Sequence, residues 1–174
     1  MKKIYYVLIL IFLISTLIYL YTVFKPVTMI NYLGREFYFR DDIRDAKKVI
    51  VYPDEKTVHD MFWDKNIKNI TIIFKPLDKG NQYYSLQAFE LTYKLSIMYM
   101  MDDQKKNFNA DYVDSYEDIQ SSEDVLKIAL IPPSLTNRTY VEGKNNIIYV
   151  YAKDYRDFDL ATIKTILVAM GSYT

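Results

Sequence analysis

The sequence predicts an α/β protein: an N-terminal transmembrane helix followed by one α/β sandwich domain with a mixed β-sheet. Three observations support this fold class. The chain begins with an almost unbroken apolar run, Ile4 to Phe24. Beyond it, short β-branched and aromatic segments alternate with stretches of helical periodicity, which is typical of helices packed on a sheet. Two further pairs of short segments flank turns that contain glycine and indicate β-hairpins.

The apolar run has the length of a membrane span. At about 1.5 Å of rise per residue, its 21 residues match the roughly 30 Å hydrocarbon core of a bilayer. A cleaved signal peptide is the alternative, but its apolar region is about 7 to 15 residues long and ends in small residues. Tyr21, Phe24 and Lys25 stand where those small residues should be. We therefore interpret residues 1–25 as an uncleaved signal anchor.

The orientation of this single-pass anchor follows from its flanking charges. Lys2 and Lys3 lie directly before the span, and long domains translocate largely regardless of their own charge. We therefore expect the N-terminus in the cytoplasm and the C-terminal domain outside the cell membrane. The lipid bilayer is the first predicted partner.

Residues 26–174 are predicted to form a single globular domain. The chain has 22 basic and 22 acidic residues, and removing Lys2, Lys3 and Lys25 leaves 19 against 22, a net charge of −3. Nucleic acid requires a basic surface, so no nucleic-acid partner is predicted. The absence of cysteine excludes disulfides and thiolate chemistry.

The first half of the domain contains a predicted hairpin and a predicted βαβ unit. Residues 26–40 alternate around Gly34, as expected for a hairpin. The segment VIVY before Pro53 predicts a short buried strand, and Asp54 is placed to cap the helix that follows. A second apolar strand, Ile70 to Phe74, completes a right-handed βαβ unit.

A long helix is predicted from about Tyr84 to Met101. Its apolar residues surround most of its girth, and Glu90 and Lys94 are spaced to pair at its polar edge. The apolar stripe of this helix is predicted at Leu86, Phe89, Tyr93, Ile97 and Met100.

The second half contains a polar loop, a core strand, a hairpin and a final helix. Residues 102–124 are polar, with a short strand predicted at Tyr112 and a helical turn at Tyr116. The segment VLKIALI predicts a third core strand, and residues 139–151 predict a hairpin that turns at GKN. The last helix is expected to begin near Asp159 and to end before Gly171, with its core stripe at Leu160, Ile163, Leu167 and Met170.

No catalytic or nucleotide-binding motif is present. The sequence lacks GxxxxGK[ST], GxGxxG, HExxH and GxSxG. His59 is the only histidine, and we interpret it as a half-exposed helix residue without a catalytic role. The acidic residues between Asp111 and Asp118 lack the spacing and central glycine of a calcium loop. We therefore predict no catalytic residue, no metal and no cofactor.

One crevice is a candidate ligand site. In open α/β sheets, ligands bind beyond the carboxyl ends of parallel strands. Polar residues follow the predicted strands at these ends, and the candidates are Lys75, Asp78, Asn81, Ser134 and Arg138.

Two sequons are candidate N-glycosylation sites if the domain lies outside. They are Asn69-Ile-Thr71 and Asn137-Arg-Thr139. Asn137 is in a predicted loop and is the better acceptor, whereas Asn69 adjoins a core strand.

Two stretches carry a resemblance. FRDDIRDAKKVIVYP (Phe39 to Pro53) and DFDLATIK (Asp157 to Lys164) resemble small, uncharacterised single-pass membrane proteins of archaea. The resemblance implies an archaeal cell-envelope setting and no particular activity.

Two functional hypotheses follow. In the first, the tethered domain is a non-enzymatic interaction or scaffold component that binds another membrane or envelope protein, since tyrosine is favoured at interfaces and the chain has 18 of them. In the second, the domain is a tethered ligand-binding domain or hydrolase that uses the strand-end crevice. A deep polar pocket favours the second hypothesis, and an exposed aromatic patch favours the first.

Overall fold

The computed structural model describes residues 14–16, 28–76 and 81–172. The strands are β1 Thr28–Tyr32, β2 Arg35–Phe39, β3 Ile50–Tyr52, β4 Asn69–Phe74, β5 Asn107–Tyr112, β6 Val125–Ile131, β7 Tyr140–Lys144 and β8 Ile147–Tyr151. The helices are α1 Ile43–Ala46, α2 Glu55–Trp63, α3 Asn81–Met101 and α4 Tyr155–Ala169.

The predicted span, Ile4 to Phe24, lies outside the described residues except for residues 14–16, which are helical. Across residues 14–16, 28–76 and 81–172, no helix combines the length and apolar character needed to cross a membrane.

The larger of two sheets is mixed. Its strand order is β3-β7-β8-β6-β4-β5, and β1 pairs with β2 in a separate two-stranded sheet. β8, β6, β4 and β5 are parallel to one another, whereas β7 is antiparallel to β8. The predicted α/β class with a mixed sheet is confirmed.

The predicted βαβ unit is wrong. β3 pairs in parallel with β7, so it runs opposite to β4 and is separated from it by three strands. β3 is also an edge strand in which only Val51 is buried. An apolar run indicates an extended segment, but it does not specify the neighbouring strand or its direction.

The helices pack on one face of the large sheet. Alternate residues of the central strands, such as Ile128 in β6 and Ile148 in β8, are fully buried in one core with Phe62 of α2 and Leu95 of α3. Complete burial of a side chain of this size contributes about 1.5–3 kcal/mol. Phe39 of β2 belongs to the same core, so the first hairpin closes the helical layer.

Helix α4 lies deep in this layer. It begins at Tyr155 rather than near Asp159, because Asp154 caps it by accepting a hydrogen bond of 2.8 Å from the Asp157 backbone N–H. Residues 161–170 are all buried, including the polar Thr162, Lys164 and Thr165, so this part of the helix has no solvent-exposed face opposite the predicted stripe. Gly171 follows with a φ of 67°, as predicted for the residue beyond a helix end.

Two side chains of α2 form hydrogen bonds with carbonyl oxygens at the C-terminal end of α4. His59 Nδ1 lies 2.8 Å from the Val168 carbonyl oxygen, and Trp63 Nε1 donates to the Ala169 carbonyl oxygen at 2.8 Å. Because a carbonyl oxygen only accepts, His59 Nδ1 carries the proton. The last carbonyls of a helix have no partner within it, so these bonds stabilise α4. His59 is a half-buried helix residue, as predicted.

Helix α3 exposes part of its predicted core stripe. Tyr84, Leu91 and Leu95 are buried, whereas Phe89 is 63% and Met100 is 76% exposed. The apolar residues surround most of this helix, so periodicity alone does not identify the side that the sheet covers.

The predicted pair of Glu90 and Lys94 forms, but the lysine is buried and the glutamate is half-buried. Lys94 is 4% exposed, and its Nζ lies 4.7 Å from the centre of the Phe39 ring. Burial, aided by Arg40, lowers the pKa of Lys94 to about 8. The first hairpin buries this lysine, which no local sequence pattern indicates.

Both predicted hairpins form. The first turns at Leu33 and Gly34, whose φ values are 49° and 84°. The second turns at Asn145 and Asn146, with φ values of 52° and 58°, rather than at the predicted GKN. Asparagine adopts positive φ more readily than other non-glycine residues, so the turn does not require the glycine.

Gly143 instead lies within β7, beneath α2. A Cβ atom at this position would lie 2.7 Å from Val58 Cγ2 and 2.8 Å from Met61 Sδ. The missing side chain therefore allows α2 to approach the sheet closely.

Candidate functional site

Among the residues that the structure describes, only a partial cover lies on the face of the large sheet opposite the helices. Val113, Tyr116 and Ile119, from the segment after β5, pack on a small cluster formed by Ile73, Ala129 and Ile131. The predicted helical turn at Tyr116 is confirmed and belongs to this cover. We call this side the open face.

A group of tyrosines lies on the open face, over strands β3, β7 and β8. Strand register places them together: Tyr52 pairs with Glu142, Tyr140 with Tyr151, and Glu142 with Tyr149. We call Tyr52, Tyr140, Tyr149 and Tyr151 the tyrosine surface. Its members lie on one face because side chains alternate along a strand with a period of two.

The rings of this surface are in mutual contact. Tyr140 and Tyr151 stack with their centroids 4.2 Å apart and their planes at 15°. Tyr52 meets Tyr140 edge-on at 5.7 Å, and Tyr149 lies 6.0 Å from Tyr151. Such aromatic pairs contribute about 0.5–1.5 kcal/mol beyond the area that they bury. We call the stacked pair Tyr140 and Tyr151 the tyrosine ridge.

An open groove lies on one side of the ridge, at the carboxyl ends of β4, β6 and β8. Its volume is about 540 Å³. We call it the end groove, and its lining includes Lys75, Tyr116, Glu117, Leu135, Tyr149 and Tyr151.

Tyr116 fixes the end of this groove. Its hydroxyl donates to the Leu130 carbonyl oxygen at 2.5 Å and accepts from the Lys75 backbone N–H at 3.0 Å. One side chain therefore joins the ends of β4 and β6. Leu135, in the helical turn after β6, is 59% exposed at the rim.

A second groove lies on the other side of the ridge, over β3 and β7. Its volume is about 580 Å³. We call it the edge groove, and its lining consists of Ile50, Tyr52, Arg138, Thr139, Tyr140 and Glu142. Ile50 is 57% and Tyr52 is 47% exposed, so this groove has an apolar floor that solvent reaches.

Two hydroxyls of the tyrosine surface, those of Tyr149 and Tyr151, have a raised pKa. Burial raises the pKa of Tyr151, and Tyr140 and Glu142 raise it further. Burial, followed by the charge of Glu142, also raises the pKa of Tyr149. These hydroxyls therefore remain able to donate hydrogen bonds throughout the physiological pH range.

The predicted ligand residues do not line a single groove. Lys75 lines the end groove, and Arg138 lines the edge groove. Ser134 is exposed in the helical turn beside the end groove, and Asn81 is the exposed first residue of α3. Asp78 lies outside the described residues.

The polar residues that follow β3 lie at the opposite end of the strands from those that follow β4 and β6. Because β3 runs opposite to β4 and β6, its carboxyl end points toward the opposite edge of the sheet. Asp54 therefore caps α2 at that edge, where it accepts a hydrogen bond of 2.8 Å from the Thr57 backbone N–H.

The two sequons differ in exposure. Asn137 is exposed in the loop before β7, whereas Asn69 is half-buried at the start of β4 and accepts a hydrogen bond of 3.2 Å from Asn107. Asn137 is therefore the more accessible of the two candidate acceptors.

Within the described part of the chain, no group of three or more His, Cys, Asp or Glu residues is placed to hold a metal ion. Asp111, at the end of β5, and Asp114, Glu117 and Asp118, in the segment that follows, are all exposed to solvent. Ser115 caps the helical turn in this segment. These carboxylates are solvated surface charges.

Searches for similar proteins were negative: no family model, no curated protein and no solved structure matches the chain.

The sequence contained a signal for the tyrosine surface. Tyr140 and Glu142 alternate in one strand of the second hairpin, and Tyr149 and Tyr151 alternate in the other. A hairpin places such residues on one face. What the pattern does not show is that the helices leave this face open, or that β3 adds Tyr52 beside it.

Proposed function

We propose that this protein is a membrane-tethered, non-enzymatic domain of the cell envelope that binds another protein through its tyrosine surface. The observation that carries the proposal is the cluster of four solvent-accessible tyrosines on the open face. Tyrosine combines a rigid apolar body with a polar hydroxyl and is enriched at protein interfaces.

The surroundings of the tyrosines support a protein as the partner. The exposed apolar residues Ile50 and Leu135 flank the surface, and residues of both charge signs, such as Glu142 and Arg138, line its grooves. An apolar centre with a polar, mixed-charge rim is the usual composition of a protein interface.

The tether restricts where such a partner is found. In this proposal, Ile4 to Phe24 spans the membrane with Lys2 and Lys3 on the cytoplasmic side. β1 begins at Thr28, four residues beyond Phe24, so the linker is short. The domain then lies outside the cell and close to the bilayer, and its partner is another membrane or envelope protein.

Site-specific photocrosslinking of the full chain in native membranes tests this proposal. We expect a photoreactive phenylalanine at Tyr149 to form one discrete protein adduct on irradiation. The matched control is the same amino acid at Tyr38, an exposed tyrosine of β2 outside the open face. Equal adducts at both positions, or none at Tyr149, contradict the proposal.

A second candidate function uses the end groove as a small-molecule or hydrolase site. The groove lies at the carboxyl ends of parallel strands and its volume falls within the usual range of ligand sites. Among the described residues, Lys75 and Glu117 are the charged ones that line it. A metabolite that raises the melting temperature of the wild type, but not of Lys75→Ala, favours this function over the first.

A further inference from the structure

The outward side of α3 carries no charged residue. Its positions lie three or four residues apart, which places them along one side of the helix. They are Gln82, Ser85, Phe89, Tyr93, Ser96 and Met100, and we call them the outer line. The charged residues of α3 are Glu90 and Lys94, which pair with each other. A surface helix ordinarily turns charged side chains to water, so the outer line has the composition of a side that another protein covers.

β5 is the edge strand of the large sheet beside α3. Among residues 14–16, 28–76 and 81–172, β4 is the one strand that pairs with it. Five of its six residues are exposed, and Asp111 is the one that carries a charge. The N–H and C=O groups along an unpaired edge can bind a further strand, and proteins usually protect such an edge with charges or a cover. The free edge of β5 is therefore a second surface suited to a partner.

The outer line and the free edge of β5 adjoin each other. Phe108 of β5 packs against Tyr99 of α3, with their ring centroids 6.3 Å apart. Ser96 and Met100, at the C-terminal end of the outer line, border the same hollow as Phe108. A molecule that extends the sheet at β5 therefore also reaches the outer line.

The outer line is complementary to a second copy of itself. In a twofold-symmetric pair, residue i of one copy contacts residue j of the other, and j contacts i. Antiparallel α3 helices with the twofold axis level with the midpoint of residues 94 and 95 place Phe89 opposite Met100 and Tyr93 opposite Ser96. The first pair combines an aromatic ring with a sulfur atom, and the second combines a large side chain with a small one. Because all six residues are uncharged, no like charges meet.

The free edge of β5 places a twofold axis at nearly the same level. Antiparallel pairing of the whole strand with its copy puts the axis at the middle of β5, between Asn109 and Ala110. This point is about 5 Å along the strand from Phe108, and the level of the axis on α3 is about 7 Å along the helix from Tyr99, the contact of Phe108. Both displacements have the same direction, because α3 connects the parallel strands β4 and β5 and runs back between them. One dimer therefore satisfies both surfaces.

We propose that two copies of this chain form a twofold-symmetric dimer, in which β5 pairs with β5 of the other copy and the outer lines of the two α3 helices pack together. The large sheets then join into one sheet with six strands from each copy. A helix that lies on a bilayer is ordinarily rich in lysine and arginine, whereas Lys94, the one such residue of α3, is buried. The inference goes beyond the proposed function, because the tyrosine surface lies toward the other edge strand, β3.

Disulfide crosslinking tests this dimer, and the chain has no cysteine that would interfere. In the dimer, residue 96 and its own copy are about 4.5 Å apart along the helices, within reach of a disulfide, whereas residue 85 and its copy are about 28 Å apart. We expect Ser96→Cys, in the full chain in native membranes treated with copper-phenanthroline, to form a disulfide-linked dimer. Ser85→Cys, the matched control on the same outer line, should remain a monomer.

The pattern of crosslinks separates this inference from the proposed function. Crosslinking at both positions would show parallel or random contact, and crosslinking at neither would show that the outer lines do not meet. Either result overturns the dimer. If the dimer fails in this way while a photoreactive residue at Tyr149 still forms its protein adduct, the proposed function stands. If Ser96→Cys crosslinks as expected and the Tyr149 adduct is absent, the dimer stands and the proposed function fails.

A charge on the outer line provides a second test. Phe89→Lys places an unpaired ammonium in the interface of each copy, so the dissociation constant should rise at least about tenfold. Tyr38→Lys, the same change at an exposed tyrosine of β2, should leave the dimer intact. Sedimentation velocity of the full chain in detergent micelles measures both, and a melting curve confirms that each variant is folded. A monomeric wild type, or a folded Phe89→Lys that dimerises as the wild type does, overturns the inference.

Discussion

On the helix-covered face of the large sheet, β6 presents Leu126, Ile128 and Leu130, which are all fully buried. On the open face the same strand presents Lys127, Ala129 and Ile131, under a cover that consists of one short segment. The strands closer to β3 differ even more between the two faces, because their open side carries the half-exposed tyrosines.

The comparison indicates that the two faces of the sheet have different roles. Apolar side chains under the helices supply the burial that holds the domain together. The tyrosines opposite gain contacts with each other, but they retain access to solvent. Substitutions on the first face should therefore change stability, and substitutions on the second should change binding.

The largest expected effect tests this contrast with one residue type. Ile148→Ala, beneath the helices, should lower the free energy of unfolding by about 2–5 kcal/mol. Ile50→Ala, on the open face, should change it by about 0.5 kcal/mol or less because Ile50 is already exposed. Urea unfolding of the full chain in mild detergent measures both values. If both variants lost the same free energy of unfolding, Ile50 would be as buried as Ile148, and the open face would be covered.

The second prediction concerns the close contact between α2 and β7. Gly143→Ala should lower the free energy of unfolding by about 1–3 kcal/mol, because its methyl group overlaps Val58. Glu142→Ala, the neighbouring position on the open face, is the control and should have little effect. Thermal unfolding followed by circular dichroism provides the comparison. A stabilised Gly143→Ala protein would mean that α2 is not held this close.

The third prediction measures the tyrosine ridge itself. We expect a double-mutant cycle of Tyr140→Ala and Tyr151→Ala, measured by urea unfolding, to give a coupling free energy of about 0.5–1.5 kcal/mol in the free energy of unfolding. A control cycle of Tyr140→Ala with Tyr38→Ala, on a separate sheet, should be additive. A coupling of zero in the first cycle would show that Tyr140 and Tyr151 do not stabilise each other and would contradict the prediction.

The fourth prediction depends on pH and involves Tyr99, a buried tyrosine of α3. The Tyr99 hydroxyl donates to the Phe62 carbonyl oxygen at 2.7 Å, and burial raises the pKa of Tyr99 above its ordinary value of 10.0. The folded state therefore keeps this proton to higher pH than the unfolded state does. The resulting stability is complete below pH 10.0 and is lost as the pH rises toward the folded-state pKa.

Two phenylalanine variants on α3 test this pH dependence. Tyr99→Phe should lower the free energy of unfolding by about 1 kcal/mol near neutral pH and flatten its decline at alkaline pH. Tyr93→Phe removes an exposed hydroxyl from the same helix and should follow the wild-type profile. Urea unfolding at a series of alkaline pH values measures both profiles. Identical slopes for Tyr99→Phe and the wild type would contradict the prediction.

The sequence alone determined the elements of the domain and its class. Alternation around Gly34, the apolar run of β6 and the cap at Asp54 are local features, and local chemistry settles them. The anchor at Ile4 to Phe24 remains a prediction of the same kind, which depends on length and apolarity. The alternation of Tyr149 and Tyr151 likewise placed both residues on one face.

Only the tertiary structure decided which elements meet. In the folded sheet β3 runs opposite to β4. The first hairpin buries Lys94. The helices pack on one face of the sheet, and the tyrosines lie on the other. These outcomes depend on contacts between segments far apart in the chain. Hydrophobic burial has no direction, so a periodic pattern identifies an apolar face but not its partner.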